Sequence, residues 1–223
     1  MPHTLTLRDV APLTHDTNRY VFGRPANFDF EPGQAAELAI CRDGWRDAAR
    51  PFTFTSLPED DELEFVIKSY PEKKGVTEEL AEIEPGTVFE LDGPFGAIKD
   101  QGAGVFLAAG AGVTPFIAIL RNRARRGTLE GCHLIFSNPR EKDIILRDEW
   151  NGMDGLSVDH VLAKEEVAGC HHGAVDTDFL RTHLNGTDRV FYICGPQGYV
   201  DAMRAAVQEL GVAEDRIVTD DGW

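Results

Sequence analysis

Leu107-Ala108-Ala109-Gly110-Ala111-Gly112-Val113-Thr114-Pro115 decides the reading of this 223-residue chain. Residues 105–109 form a short apolar run of strand character, which passes through two glycines into a helix predicted to start at Pro115. Gly110 and Gly112 would let the backbone approach a pyrophosphate with no side chain in the way. The helix start would then offer free N–H groups and a partial positive charge to the anion. Thr114 is placed to cap that helix and Pro115 to occupy its first position. Proline stands where the third glycine of the dinucleotide fingerprint would be. Alone, the segment therefore also fits a structural turn that binds nothing.

Downstream, apolar runs alternate with helical ones. Residues 132–137 read as a strand and 142–150 as a helix; 158–162, 176–184, 190–194 and 199–210 continue the alternation, and Gly211 supplies a stop. This pattern predicts a parallel sheet with helices on both faces. Cys194-Gly195-Pro196-Gln197-Gly198 follows the strand at 190–193. Ligands of open parallel sheets sit outside the carboxyl ends of the strands, so the two small-residue loops point to one crevice. Cys194 also reads as a buried core thiol, the commoner role of a lone cysteine.

Upstream, the first hundred residues are strands and turns. Short segments at 4–7, 19–22, 36–40, 52–55, 63–69 and 88–91 are rich in β-branched and aromatic residues, and 28–34 alternates before breaking at Pro32-Gly33. Many short strands at close spacing predict a barrel or sandwich. One helix interrupts them at Thr77-Glu78-Glu79-Leu80-Ala81, with Thr77 as its expected cap. The polar stretch Lys99-Asp100-Gln101-Gly102 marks the change of pattern, dividing the chain into domains 1–99 and 100–223.

Bulk properties narrow the function. The net charge of −16 disfavours non-specific nucleic-acid binding, since phosphate is repelled by an acidic surface. The four cysteines, Cys41, Cys132, Cys170 and Cys194, include no close pair, which argues against a zinc site or a plant-type iron–sulfur cluster. No apolar run approaches the roughly 18 residues of a membrane span. The first residues show no basic segment followed by an apolar one, and the expectation is a cytoplasmic protein. Arg121, Arg123, Arg125 and Arg126 form one dense basic cluster: a solvated face, or a landing patch for an acidic electron carrier.

Arg50-Pro51-Phe52-Thr53 places a cation, an aromatic ring and a hydroxyl on one strand. Arginine offers a fork of donors suited to phosphate, the ring can stack on an isoalloxazine or adenine, and the hydroxyl can donate to a ring nitrogen. An edge strand with a surface arginine is the plainer alternative.

In order along the chain, Phe28–Gln34 ending Pro-Gly-Gln, Arg50-Pro51-Phe52-Thr53, Gly75-Val76-Thr77, Gly93-Pro94-Phe95-Gly96, Gly110–Pro115, Asn138–Leu146 and Cys194-Gly195-Pro196 resemble motifs of the ferredoxin–NADP reductase superfamily, within it the cytochrome b5 reductase-like and flavodoxin reductase-like members. The resemblance spans nearly the whole chain. It implies two domains, an N-terminal antiparallel β-barrel binding FAD and a C-terminal α/β parallel-sheet domain binding NADPH or NADH. It also implies hydride passage from nicotinamide to flavin N5, with electrons going on to a ferredoxin, a flavodoxin or an oxygenase component.

By the same resemblance, Arg50 neutralises the flavin pyrophosphate, Phe52, next to Pro51 of the same cofactor-binding motif, stacks against the isoalloxazine, and Thr53 hydrogen-bonds the N5 region. Ile67, Lys68 and Tyr70 line the ribityl and phosphate path, and Gly75, Val76 and Thr77 bind phosphate. Gly110 and Gly112 meet the nicotinamide nucleotide, Thr114 and Cys194 border the nicotinamide, and Gly195, Pro196 and Gln197 belong to the same cofactor-binding set, with Thr53 and Cys194 nearest the chemistry. Phe52 stands where tyrosine is usual, which keeps the ring, loses a phenolic hydrogen bond and implies a looser hold on FAD. That departure leaves room for a flavin reductase that releases free reduced flavin. A non-catalytic electron-transfer subunit is the third class. Ser137, Asn138 and Arg140 end the strand expected to face the adenosine ribose. Ser137 and Arg140 read as 2′-phosphate ligands favouring NADPH, whereas Glu141–Arg147 resembles the NADH-using b5 reductase-like branch; Arg140 also reads as a solvent-exposed loop charge. Trp223 reads as a shield over the flavin or as a frayed tail.

Overall fold

The computed structural model describes residues 2–70, 75–96 and 98–220. Its first half is a six-stranded antiparallel sheet built from β1 (His3–Pro12), β2 (Thr17–Gly23), β3 (Ala35–Ile40), β4 (Arg50–Thr53), β5 (Glu62–Lys68) and β6 (Val88–Phe95). The strand order is β4-β3-β6-β1-β2-β5. Alternate residues point inward, so Leu5 and Leu7, Phe65 and Ile67, and Phe89 and Leu91 share one core. The outer strands meet through an antiparallel bridge between Phe54 and Phe65, with the Thr55 N–H donating to the Glu64 carbonyl at 2.8 Å. That bridge closes the sheet into a barrel.

Residues 28–34 do not form a strand. The alternation there reflects burial without pairing: Phe28 and Phe30 are inside, and the Phe30 ring stacks on Phe54 at 4.4 Å. Thr77 is not a cap either. The backbone is extended at Gly75 (φ −131°), which takes the N-cap of α1 (Val76–Ala81), so Thr77 already lies in the first turn.

The second half holds β7 (Gly104–Ala109), α2 (Thr114–Arg125), β8 (Cys132–Asn138), α3 (Arg147–Asn151), β9 (Leu156–Leu162), β10 (His171–His172), α4 (Thr177–His183), β11 (Val190–Cys194), α5 (Gln197–Glu209) and β12 (Ile217–Thr219). All six strands are parallel, in the order β10-β9-β8-β7-β11-β12. β7 is buried on both faces. Phe106 and Ala108 pack with Phe116, Ile117 and Leu120 of α2 and Trp150 of α3, while Val105 and Leu107 pack with Leu180 of α4 and Met203 and Val207 of α5. Helices thus cover both faces, as predicted.

The helix predicted over 142–150 is broken in two. Glu141–Asp143 makes a single tight turn, in which the Asp143 carboxylate accepts the Arg140 N–H at 2.9 Å. Leu146 then adopts a left-handed conformation (φ 56°), and α3 starts only at Arg147. The fully buried Trp150 donates its indole N–H to the Ile145 carbonyl at 2.7 Å, so tertiary packing overrides local propensity there. Among the described residues no helix is long and apolar enough to cross a membrane.

Candidate active site

β7 and β11 are neighbours, yet the chain leaves β7 for β8 on the other side. A crevice opens outside the carboxyl ends of strands at such a switch point. Here it has a volume of about 680 Å³, lined from the α/β domain by Ala109 to Gly112, Ser137 to Pro139, Ala163, Gly195 and Pro196, and from the barrel by Lys68 and Tyr70.

The glycine turn is tighter than an open loop. Gly110–Val113 is one turn of 3-10 helix that runs directly into α2. Thr114 is already helical (φ −58°, ψ −43°), so it does not cap; the continuous backbone carries the start of the helix back to Gly110. No side chain caps this turn, which leaves its first N–H groups to water or a ligand. Gly110 has φ 53° with open space around it. At Gly112 a Cβ would stand 2.4 Å from the Cys194 carbonyl oxygen, so only glycine lets the two loops meet.

Asn138, the last residue of β8, is 2% exposed and sits at the crevice. Neither its amide nitrogen nor its amide oxygen has a protein partner. A buried polar group is normally paired, so this side chain is set for an external partner. Cys194 is half-buried, and burial, with the charge of Asp220 adding to it, pushes its thiol up to about 12. It stays a neutral thiol near pH 7. Below Gly195 lies Tyr199, whose hydroxyl is buried without a partner.

On the barrel side, Lys68 Nζ lies 2.9 Å from Asp16 Oδ2. Burial works against the Asp16 charge, but hydrogen bonds from Lys68 and Thr14 outweigh it and hold the carboxyl below its usual range. Ile67 is 2% exposed in the barrel core, so only its main chain can face a ligand. On β4, Arg50 is exposed and donates to the Ala49 carbonyl at 2.7 Å, with the rest of its fork open. Pro51, Phe52 and Thr53 are half-buried, and Phe52 and Thr53 pair with the buried Ala36 and Ala35 of β3. Gly75 is half-buried and extended, Val76 is buried and Thr77 is half-buried.

Lys68, Tyr70, Gly110, Gly112, Ser137, Asn138, Gly195 and Pro196 therefore converge on one crevice. Arg50–Thr53, Gly75–Thr77, Thr114, Cys194, Arg140 and Gln197 do not line it; Arg140 is exposed, and Gln197 donates to Asp201 at 2.8 Å. Trp223 lies outside the described residues. Pro139, legible from sequence only as part of the Asn138–Leu146 motif, lines the crevice, and so does Ala163, which was not singled out at all. Ala163 follows the end of β9, so the carboxyl-end rule applied to that strand would have found it. Three of the clustered arginines are engaged within the protein: Arg121 with Glu64 and Glu149, Arg123 with Asp100, and Arg125 with Asp60. They are not a free landing patch.

Comparison with known proteins agrees with this layout. Residues 4–99 match the oxidoreductase FAD-binding domain and residues 106–205 the oxidoreductase NAD-binding domain. Over 96% of its length the chain is 27% identical to the ferredoxin–NAD(P)(+) reductase component of the naphthalene 1,2-dioxygenase system of Pseudomonas putida, covering 67% of that protein. It is 29% identical, again over 96% of its length, to NADH-cytochrome b5 reductase 1 of Aspergillus terreus, covering 79% of it. Among solved structures, a ferredoxin NADP+ reductase from Neisseria gonorrhoeae with bound FAD and NADP superposes with a TM-score of 0.85 at 19% identity, covering 100% of this chain and 99% of that one. The FAD/NAD-binding domain of a nitric oxide dioxygenase from Vibrio cholerae gives 0.87 at 20% identity, covering 97% and 96%.

A closed antiparallel barrel joined to a parallel sheet with a nucleotide crevice defines an FAD- and NAD(P)H-dependent oxidoreductase. Within that class, the chain belongs to the ferredoxin–NADP reductase superfamily. The residues fit both cofactors: the glycine contact at Gly112, the unpaired Asn138 amide and the open guanidinium of Arg50 are the donors and spaces that dinucleotides require.

Proposed function

We propose that the crevice receives the nicotinamide dinucleotide, that the β4 face holds FAD, and that the electrons leave for a small protein acceptor of the ferredoxin, flavodoxin or oxygenase-component kind. The observation that carries this reading is the convergence of barrel residues Lys68 and Tyr70 with Gly110, Gly112 and Asn138 around one crevice. When bound, the two cofactors supply the redox chemistry, hydride transfer followed by onward electron transfer. The protein's part is to bind, orient and exclude water. The division of labour follows domains 1–99 and 100–223.

In this assignment Arg50 meets the flavin pyrophosphate through its fork, and the Phe52 ring backs the isoalloxazine. Thr53 donates its hydroxyl toward N5, and the segment Gly75-Val76-Thr77 meets phosphate through its main chain. Ile67 contributes its main chain, while Lys68 and Tyr70 form the wall between the cofactors. The turn at Gly110 and Gly112 takes the second pyrophosphate, Asn138 and Ser137 face the ribose, and Gly195 and Pro196 border the nicotinamide end, with Thr114, Cys194 and Gln197 behind the crevice lining next to them. Cys194 acts as a neutral thiol of the wall, consistent with its raised pKa.

The acceptor class is supported by the relatives that serve as reductase or electron-transfer components of dioxygenase systems. Phe52 in place of the usual tyrosine favours a second reading, release of free reduced flavin. Purified protein incubated with FAD and then gel-filtered tests both. A yellow protein that keeps its flavin and oxidises NADH or NADPH with an artificial acceptor supports the reductase. Loss of flavin on the column with retained NAD(P)H oxidation supports the flavin reductase. Protein that stays colourless overturns both. Arg140→Ala decides the nucleotide: if Arg140 reads the 2′-phosphate, KM rises far more for NADPH than for NADH, and equal effects exclude that role.

A further inference from the structure

Arg121 lies on α2 seven residues beyond Thr114, roughly 10 Å along the helix axis from the nucleotide turn. Its fork is used on both sides. Nε and Nη2 donate to the two oxygens of Glu149 on α3 at 2.6 and 2.8 Å. Nη1 donates to Glu64 Oε1 at 2.6 Å and to the Thr55 carbonyl at 2.9 Å, both in the barrel. Thr55 and Glu64 are themselves joined, Thr55 Oγ1 donating to Glu64 Oε1 at 2.8 Å, and they flank the Phe54–Phe65 bridge that closes the barrel. Thr55 is two residues beyond Thr53. Burial opposes the charge of Arg121, but the hydrogen bond to Glu149 and the fields of Glu64 and Glu149 keep it firmly ionised. By contrast Arg125, which reaches Asp60 from the next turn, is half exposed, and such surface pairs contribute little.

We propose that Arg121 is a positioning residue for hydride transfer. By fastening α2 to the closing edge of the barrel, it fixes the placement of the Gly110–Gly112 turn relative to the Arg50–Thr53 strand. This rests on the assignment of FAD to β4 and the nicotinamide nucleotide to the crevice. α2 is tightly embedded, with Phe116 to Leu120 fully buried, so a shift at Arg121 is carried to the turn. Hydride transfer is sensitive to such shifts, since a misplacement of about 1 Å can slow a reaction on the order of a hundredfold.

The test uses FAD-loaded protein and rapid mixing with its preferred nicotinamide nucleotide, comparing Arg121→Met, Arg121→Lys and Glu64→Gln. Glu64→Gln keeps the Arg121–Glu149 pair and alters the contact across the domains together with the Thr55 hydroxyl bond to the same carboxylate. The expected result is unchanged flavin content and flavin absorption, and NAD(P)+ affinity within about twofold. The limiting rate of flavin reduction should fall on the order of tenfold or more in Arg121→Met, and by less in Glu64→Gln. Arg121→Lys should restore only part of the rate, because one ammonium cannot reproduce the fork. A limiting rate at the parent value in both Arg121→Met and Glu64→Gln overturns the proposal, as does a rate loss that merely tracks loss of FAD. Parent protein that takes up no FAD, or is not reduced by NAD(P)H, sinks the cofactor assignment instead.

Discussion

Asn138 holds an amide that the fold itself leaves unpaired. Leaving such a group unsatisfied costs about 1–3 kcal/mol. Asn138→Leu, which is close in shape, should therefore raise the thermal midpoint of the ligand-free protein by a few degrees while weakening NAD(P)+ binding. Calorimetry and equilibrium titration read the two effects, and a variant of unchanged stability and affinity would contradict the assignment. Cys194 gives a second residue-level expectation. With its thiol pushed up to about 12, little thiolate exists at neutral pH, so iodoacetamide should modify Cys194 slowly up to pH 9 even in protein free of nucleotide. Mass spectrometry of the tryptic peptide checks this, and rapid stoichiometric labelling at pH 7 would show that the thiol is activated. From sequence, Cys194 could be read as a core thiol or as a site residue. The half-buried position at a strand end reconciles the two, and burial fraction is a property of the packed fold that the residue type does not carry.

At the scale of elements, β7, β8 and β11 were readable almost to the residue, because each centres on an apolar run of the kind a doubly covered strand carries, whereas β9, interrupted by Ser157, Asp159 and His160, reads from 158 instead of 156. The short edge strands β10 and β12 have too few residues to show any period. β10 is held by side chains: Asp159 on β9 lies 2.8 Å from Nε2 of His133 on β8 and 3.0 Å from Nε2 of His171 on β10. The His133 hydrogen bond, against the opposing effect of burial and with help from His171, lowers the Asp159 carboxyl to about 2, below its ordinary 3.8. Because the folded value is the lower one, this stabilisation is full above pH 3.8 and is lost as pH falls through about 2. Asp159→Asn should thus lower the thermal midpoint by a few degrees at pH 7, with the gap to the parent narrowing below pH 4. A gap independent of pH would refute the ionic origin. Gly33 marks the other failure of local reading. Its φ of 93° was foreshadowed by the Pro-Gly turn, but the approach of its absent Cβ to within 2.2 Å of the Ile98 carbonyl was not. Gly33→Ala should destabilise the protein by more than the roughly 1 kcal/mol of left-handed strain alone, as urea titration would register.

For the whole molecule, the division into a strand-rich and an alternating half was legible from pattern, and the glycine turn gained its meaning from standing downstream of Arg50–Thr53. What joins the halves was not legible. Arg121 and Glu64 are 57 positions apart, and nothing in either neighbourhood of sequence points to the other. The basic cluster accordingly looked available from sequence, whereas folding spends three of its charges on internal carboxylates. With a net charge of −16, the surface should favour a basic partner. Reduction of a basic haem protein used as artificial acceptor should slow as salt is added, and reduction of an acidic one should hold steady or quicken. The opposite trend would mean that a local basic face outweighs the total charge.

The contact between Gly112 and the Cys194 carbonyl has a consequence for how nucleotide preference can change. At Gly112 no side-chain atom fits between the turn after β7 and the loop after β11, so there the two walls behave as one fixed jaw of a calliper. Any adjustment of grip belongs to the opposite jaw, formed by Ser137, Asn138, Pro139 and Ala163 at the ends of β8 and β9. Altering this protein's choice of dinucleotide therefore calls for changes in the second jaw and for leaving the glycines untouched.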